Sequence, residues 1–405
     1  MSDGLLGPTT AVSTAPGSTR EPGLLQLLLL LAGSCMPILG AVLIAPVLPQ
    51  ITAAFSTVTG VEVLVPVVLT VPALVVGLAA PFAGFLADAV DRKRVLIAAM
   101  VSYSVVGTAP LYLDSLQAIL VSRVFVGVCE AAIMTCCTTL IGDYWSGDRR
   151  RRYLGLQTLV TAISATVFLG LGGALGSAGW RTPFWLYLAA VVIAVPMVRA
   201  IWQPERAARA TRTLEPVPWR GLAVPCLVTL FGGIVFYALI VELSFVLDGV
   251  GVTSTAVIGA VSALMSVATA VGAGSFARVA KHGTRALLAV GFGLAALGLV
   301  TVFATSTIAV ITLGAVFTGL GTGLLLPTLL TWAVDRLTFD QRGRGTGLWT
   351  GSFFIGQFLS PLVIVGVGAG VGGLRPALGL LGAASLIAVP AILIGLRRNT
   401  TEVSP

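Results

Sequence analysis

The sequence predicts an all-α integral membrane protein whose twelve transmembrane helices form two pseudo-symmetric six-helix bundles. This prediction rests on the composition, on the number of hydrophobic segments and on an internal repeat. Apolar residues make up 57% of the 405 residues and charged residues only 10%, whereas a soluble domain carries about 25% charged residues. Such a chain cannot cover a water-facing surface, so we expect it to lie in a membrane.

Twelve segments are long and apolar enough to cross a bilayer, which takes about 20 helical residues. The first of them is too long for the hydrophobic core of a signal peptide, so we count it as a span. The predicted spans are residues 24–47, 62–86, 94–113, 116–140, 153–176, 182–202, 220–247, 253–276, 285–304, 308–331, 345–368 and 375–396.

Polar stretches divide the chain into five regions. Residues 1–23 are rich in Ser, Thr, Pro and Gly and are predicted to form a disordered cytoplasmic tail. An N-terminal six-helix bundle over 24–202 is followed by a cytoplasmic linker over 203–219. The C-terminal six-helix bundle covers 220–397, and a short cytoplasmic tail covers 398–405.

The basic residues determine the predicted orientation. With the N-terminus in the cytoplasm, 21 of the 24 Lys and Arg residues fall on the cytoplasmic side; Arg181 and Arg375 fall outside and Arg123 lies within a span. Cytoplasmic loops of membrane proteins carry such an excess. We therefore predict a multi-pass protein of the cell (inner) membrane with both termini in the cytoplasm.

An internal repeat relates the two halves of the chain. VFVG at 124–127 matches VFTG at 316–319, and Asp143 matches Asp335 with the same offset of 192 residues. The fourth and fifth spans therefore resemble the tenth and eleventh in the same orientation. Two parallel six-span halves are one of the known transporter architectures.

Several protein classes are disfavoured by motifs that the sequence lacks. Neither Lys93 nor Lys281 lies in a P-loop, so we expect no ATP hydrolysis, and no G-x-S-x-G nucleophile motif occurs. The five cysteines lie in apolar segments without metal-ligand spacing, and His282 is the only histidine. We therefore predict no enzyme activity, no cofactor, no metal site and no nucleic-acid partner.

Two sequence signatures point to a family. The loop after the second span carries Gly84 and Asp88 in a G-x-x-x-D pattern, followed by Arg92 and Lys93, and the fourth span carries R-x-x-x-G from Arg123. In these signatures the chain resembles the major facilitator superfamily, most closely its drug-efflux-like (drug:proton antiporter) branch, over all twelve spans. The resemblance implies two helix bundles around a central cavity that opens alternately to each side of the membrane.

The fifth-span signature of the antiporters is only partly present. Gly172 and Gly173 match it, but Phe168 and Leu169 stand where the family carries Gly-Pro. The first span also lacks the acidic residue that some drug–proton antiporters carry there. Both directions of transport therefore stay open at this point.

By the resemblance, the charged loop after the second span is a gate. Asp88 is expected to face the start of the eleventh span, near residues 345–347, and Arg92 to reach Asp143 at the base of the fourth. Asp91 stands where the family carries Gly, so we expect it to compete with Asp143 for Arg92. The predicted gating residues are Gly84, Asp88, Arg92, Lys93 and Asp143.

Two charged residues lie deep in the fourth span. A charge at the bilayer centre costs about 2.5–3.5 kcal/mol on insertion scales, so Arg123 either binds an anionic group or is a satisfied interhelical donor. Glu130 follows seven residues later on nearly the same face, but the rise of about 10 Å makes a direct pair unexpected. A buried carboxyl group can exchange a proton near neutral pH. Glu130 is therefore predicted to carry the coupling proton, the alternative being a permanently protonated, hydrogen-bonded carboxyl group.

Glu242, in the outer part of the seventh span, is the second candidate for proton coupling, and a solvated position at the outer mouth is its alternative. Few other charges occur inside the spans, which favours an amphipathic or lipophilic substrate. The predicted substrate-binding residues are Arg123, Glu130, Tyr237, Thr318, Thr322 and Gln357.

Three functional hypotheses follow from these residues. The first is proton-coupled efflux of a small amphipathic or drug-like molecule by a monomer, with protons and the lipid bilayer as its other partners. The second is an uptake symporter or uniporter for a small organic acid, which Arg123 would bind. The third is a membrane sensor or scaffold that transports nothing.

Overall fold

The computed structural model describes residues 21–82, 91–203, 219–338 and 341–398, and within these ranges all regular secondary structure is helical. Twelve helical segments are long and apolar enough to cross a membrane, as predicted. They are Leu24–Ala54, Val61–Phe82, Arg92–Leu111, Leu116–Tyr144, Gly147–Gly176, Thr182–Ala200, Gly221–Asp248, Thr255–His282, Thr284–Ala304, Ile308–Val334, Arg342–Val371 and Leu374–Ala391. The predicted tails and the linker lie almost entirely outside the described residues.

The buried apolar residues form two separate cores, one for each six-span half. The first core draws on the first six spans and also includes Tyr237 and Val241 of the seventh. The second core is built from the seventh to twelfth spans. The chain is therefore a pair of helix bundles, and the seventh span contributes to both.

The first span is interrupted near its middle. A helix over Leu24–Val42 ends before Leu43 and Ile44, and is followed by a 3₁₀ turn over Ala45–Val47 and a short helix over Leu48–Ala54. Pro37 lies within the first of these helices, and proline removes a backbone hydrogen bond and bends a helix. The backbone N–H of Leu43 still donates to the carbonyl oxygen of Leu39 over 3.0 Å, so the carbonyl groups of residues 40–42 are the ones that lie at the helix end, where intrahelical donors are commonly missing.

We call the membrane face at which the first span begins the N-face, and the opposite one the far face. At the far face the two bundles meet through the fifth and eighth spans. A Cβ atom placed on Gly173 would overlap the carbonyl oxygen of Thr255 and lie 2.7 Å from Cα of Gly259. Thr166 also donates to Ser266 over 3.0 Å.

Toward the N-face the same two spans separate. No residue of 147–163 or 273–282 is buried, although both ranges belong to these spans. On the other side of the molecule the second and eleventh spans stay in contact near the N-face. There, a Cβ atom placed on Gly347 would lie 2.9 Å from the carbonyl oxygen of Ala80. The bundles are thus joined at the far face and partly open at the N-face.

Candidate functional site

Glu130 lies in the middle of the fourth span and is almost completely enclosed. Its relative exposure is 4%, and its Oε1 atom has no hydrogen-bond partner within the described protein. A Cβ atom placed on Gly40 of the first span would overlap this oxygen. The carboxyl group therefore fits only because residue 40 has no side chain, and we call the space above the Cα of Gly40 the Gly40 notch.

Three tyrosines from three other spans surround the carboxyl group. Tyr103 of the third span, Tyr187 of the sixth and Tyr237 of the seventh lie near enough to interact electrostatically with Glu130. Tyr103 donates to the carbonyl oxygen of Met36 over 2.5 Å. Its ring centroid is 5.0 Å from that of Tyr187. Sequence reasoning missed Tyr103, Tyr187 and Gly40, although the polar triplet at 102–104 in an otherwise apolar span was a usable signal.

Arg123 is held by its own bundle. It is 1% exposed, and its Nη2 atom donates to the carbonyl oxygens of Val106 and Gly107, each over 3.0 Å. Its Nη1 atom donates to the hydroxyl of Tyr187 over 3.0 Å, and Nε donates to Ser122. The side chain points toward the third and sixth spans. This geometry favours the satisfied interhelical donor over the predicted substrate-binding role.

The two charged groups of the fourth span do not form an ion pair, in agreement with the distance expected from the helical rise. Oε1 of Glu130 has no hydrogen-bond partner, and the donors of Arg123 go to its neighbours. Glu130 is therefore an enclosed carboxyl group that has no salt-bridge partner among the residues that the structure describes.

Glu242 is buried, so the solvated alternative for this residue is wrong. It is 2% exposed and its Oε1 atom lacks a hydrogen-bond partner within the described protein. Ala238, Leu239 and Val246 lie one turn away on the same side of the helix and belong to the C-terminal core. The structure therefore does not bring Glu242 to the contact between the bundles where Glu130 lies.

Tyr237 does lie at the contact between the bundles. It is 2% exposed, and its hydroxyl group donates to the carbonyl oxygen of Ala41 in the first span. Gln357 is 5% exposed and lies three residues before Ser360, which donates to the carbonyl oxygen of Ile234 over 2.8 Å. Gln357 is thus on the side of the eleventh span that faces the seventh.

The predicted placement of Thr318 and Thr322 in a substrate cavity needs correction. Both hydroxyl groups donate to carbonyl oxygens of their own helix, and the side chains are 1% and 3% exposed. A Cβ atom placed on Gly298 would overlap Oγ1 of Thr318, so that side chain packs against the ninth span. Both residues belong to the interior of the C-terminal bundle.

The charged loop is described only from Asp91 onward, so Gly84 and Asp88 lie outside the described residues. Arg92 forms the ion pair with Asp143 that the sequence analysis expected, and Lys93 is half-buried beside it. The expected competition from Asp91 is wrong. Asp91 has a φ of −71°, caps the third span by accepting from the backbone N–H of Arg94 over 3.1 Å, and pairs with the Arg94 side chain.

Comparison with known proteins decides the family. The sequence profile of the Major Facilitator Superfamily matches residues 30–280 and 225–405, which together span nearly the whole chain. The chain belongs to this superfamily. Crystal structures agree with the fold: a bacterial homologue of the human lysosomal transporter Spinster, in its inward-facing occupied conformation, superposes with a TM-score of 0.74 at 15% identity over 92% of this chain and 96% of that one. The human organic anion transporter MFSD10 (TETRAN) gives a TM-score of 0.66 at 16% identity, covering 91% of this chain and 99% of its own.

Curated relatives within the superfamily match a shorter part. The chain is 31% identical to the bacillibactin exporter of Bacillus subtilis over 153 residues, which are 36% of this chain and 37% of the exporter. It is 27% identical to the 3-(3-hydroxy-phenyl)propionate transporter of Escherichia coli, over 35% of each chain. The quinolone resistance protein NorA of Staphylococcus aureus is 24% identical over 37% of this chain and 40% of its own. The matches thus span about two fifths of these relatives.

Proposed function

We propose that this superfamily member is a secondary active transporter that moves a small organic molecule across the cell membrane by alternating access. It works as a monomer with both termini in the cytoplasm, and it exports an amphipathic or drug-like compound in exchange for protons. The observation that carries the proposal is the enclosed carboxyl group of Glu130 at the contact between the two bundles.

The position of Glu130 suits proton coupling for a physical reason. A carboxyl group in an apolar, enclosed position is far less costly in its neutral form than as an isolated carboxylate. If the surrounding spans separate and admit water, the same group can release its proton. Because Glu130 faces the first span and lies near Tyr237 of the other bundle, rocking of the bundles changes its surroundings.

The surroundings of Glu130 also support an amphipathic substrate. The rings of Tyr103 and Tyr187 and the backbone of Gly40 lie near Glu130, and the donors of Arg123 in the same span are engaged by protein acceptors. Two of the relatives are named as an exporter and a quinolone resistance protein, which supports efflux for this chain.

Purified protein in proteoliposomes provides the test. With a fluoroquinolone and ethidium as probes, an imposed pH gradient should drive accumulation against the probe gradient. Glu130→Gln should abolish this dependence on the pH gradient while leaving probe exchange intact. Glu242→Gln is the matched control, because Glu242 is equally buried but lies in the C-terminal core. Transport that ignores the pH gradient, with Glu130→Gln as active as the wild type, would refute proton coupling.

Uptake of a small organic acid is the alternative, and one relative is a 3-(3-hydroxy-phenyl)propionate transporter. An anionic substrate needs a cation in the cavity, and Arg123 already donates to four protein acceptors. The alternative therefore depends on a cation other than Arg123. Accumulation of an arylpropionate by intact cells that express the chain would support it.

A further inference from the structure

We infer that Gly40 and Ala41 of the first span, together with Tyr237 of the opposite bundle, are positioning residues that keep Oε1 of Glu130 closed to water until the bundles part. Tyr237 holds the backbone of this segment, and the segment covers the carboxyl group. Contacts between residues define the enclosure of Glu130. The role of this enclosure in proton coupling rests on the proposed function.

The first contact is between Gly40 and Glu130. Any side chain at residue 40 would overlap Oε1 of Glu130 and would lie 2.9 Å from the hydroxyl oxygen of Tyr103. The oxygen therefore lies directly against the backbone of the first span, with no room for a water molecule between them. It has no hydrogen-bond partner in the described protein, so packing rather than a polar contact keeps it in place.

The second contact is between Ala41 and Tyr237. The hydroxyl group of Tyr237, which belongs to the C-terminal half, donates to the carbonyl oxygen of Ala41 in the N-terminal half. Ala41 follows Gly40, the residue that covers Glu130. The same short segment therefore accepts a hydrogen bond from Tyr237 and packs against the carboxyl group of Glu130.

The break in the first span makes this bond important. Helix Leu24–Val42 ends one residue after Ala41, so the carbonyl oxygen of Ala41 has no donor from a following helical turn. At membrane depth an unpaired backbone carbonyl group is costly, because no water is present to donate to it. Tyr237 supplies the missing donor, and the conformation of the segment therefore depends on the distance between the two bundles.

The other titratable or charged groups that face Glu130 do not cover its Oε1 atom in place of the first span. They are Tyr103 of the third span, Tyr187 of the sixth, Tyr237 of the seventh, and Arg123 and Cys129 of its own span. None of them hydrogen-bonds to Oε1. The covering segment of the first span contributes no titratable group, so its movement changes access to Glu130 without changing the charge around it.

We expect separation of the two bundles to open the covered side of Glu130 in two steps. When the bundles separate near Ala41, the bond from Tyr237 breaks and the end of the helix can withdraw from the Gly40 notch. Water then reaches Glu130, and a proton can enter or leave.

Labelling with a water-soluble carbodiimide, which adds to protonated carboxyl groups that it can reach from water, tests the inference on the full-length protein in proteoliposomes. Tyr237→Phe removes only the hydroxyl group, and it should raise the labelling rate of Glu130 about fivefold, equivalent to about 1 kcal/mol, the typical net value of one hydrogen bond. Labelling of Glu242, read from its own peptide by mass spectrometry, should not change. Tyr144→Phe is the matched control, because that hydroxyl bonds to the carbonyl oxygen of Trp202 within one bundle over 2.6 Å.

A second variant covers the case in which Tyr237→Phe does not fold. Gly40→Ala should displace the carboxyl group from the notch and raise Glu130 labelling, whereas Gly33→Ala should not, because its Cβ atom would meet only side-chain atoms at 3.1 Å. Unchanged Glu130 labelling in the folded variants overturns the inference, even if Glu130→Gln loses proton coupling. Raised labelling together with a fully coupled Glu130→Gln keeps the enclosure but refutes the proposed function.

Discussion

The two halves of the molecule use equivalent positions for different purposes. By the offset of 192 residues, Arg123 corresponds to Ala315 and Glu130 to Thr322. All four positions are buried, with relative exposures of 1%, 0%, 4% and 3% in that order. The N-terminal half therefore encloses charge where the C-terminal half encloses small neutral side chains.

The glycines beneath these positions show the same contrast. Gly40 corresponds to Gly232 by the same offset. The space above Gly40 holds the carboxyl group of Glu130, whereas a Cβ atom placed on Gly232 would lie 2.9 Å from Cδ1 of Leu329. The space above the glycine is thus filled in both halves, by the carboxyl group of Glu130 in one and by an apolar side chain of the core in the other. We expect substitutions of Glu130 to change function, and those of Thr322 to change stability.

The largest effect is expected at Arg123. Arg123→Leu leaves the carbonyl groups of Val106 and Gly107 and the hydroxyl group of Tyr187 without their donor, which should lower the free energy of unfolding by about 3–5 kcal/mol. Unfolding in sodium dodecyl sulfate, followed by circular dichroism, measures the loss. Arg123→Lys keeps the charge but not the planar fork and should lose less. If the Arg123→Leu protein is stable and lacks only substrate binding, Arg123 is a substrate-binding residue and not a structural hydrogen-bond donor.

Exchanging the residues of the equivalent pair should give unequal results. Thr322→Glu places a carboxyl group in the filled interior of the C-terminal bundle, where Thr322 is 3% exposed, and this should lower the free energy of unfolding by about 3 kcal/mol. Glu130→Thr removes an unpartnered group and should fold as the wild type does, with proton coupling lost. The same unfolding assay on both variants measures the difference, and equal losses would contradict the contrast between the halves.

The two halves pack more closely at the far face, between the fifth and eighth spans, than at the N-face, between the second and eleventh. Gly173→Ala would force a Cβ atom into the backbone of Thr255 and Gly259 and should cost about 2 kcal/mol, because neither backbone can yield cheaply. It should also widen the far-face end, as measured by distances between spin labels on the fifth and eighth spans. Gly347→Ala meets the carbonyl oxygen of Ala80 at 2.9 Å and should cost less. A larger loss at residue 347 would show that the N-face contact is the tighter one.

The smallest effect is expected where the third and ninth spans begin. Asp91 caps the third span with a φ of −71°, whereas Gly283 begins the ninth with a φ of 82°. Asp91→Ala should cost about 1 kcal/mol of stability through loss of the cap, and Asp91→Gly only a few tenths. Gly283→Ala should cost about 1 kcal/mol because it forces a side chain into the left-handed region. Thermal unfolding in detergent can rank the three variants.

Features that depend on hydrophobicity and spacing could be predicted from the sequence. The twelve spans follow from runs of apolar residues, and the pair of Arg92 and Asp143 follows from the family signature. The separation of Arg123 and Glu130 follows from helical rise alone. These properties are local, or are fixed by the lipid environment.

Features that depend on which face of a helix points inward could not be predicted. Thr318 and Thr322 were assigned to a cavity because they are polar, but lipid, core and cavity are all largely apolar, so the tenth span shows no polar face. The role of Asp91 depends on the backbone N–H of Arg94, three residues further on, which the family signature does not reveal. Tyr187 meets Arg123 across 64 residues of chain, and no periodicity reveals such a pairing.

The bonds of Arg123 also constrain how the protein is made. Val106 and Gly107 of the third span precede Arg123 in the chain, but Tyr187 follows it by 64 residues. An isolated helix with a central arginine enters the bilayer at a cost of about 2.5–3.5 kcal/mol. During synthesis, the fourth span must therefore associate with the third as it leaves the insertion machinery, and its arginine gains its last partner only when the sixth span arrives. We therefore expect the third, fourth and sixth spans to associate before the second half of the chain is inserted.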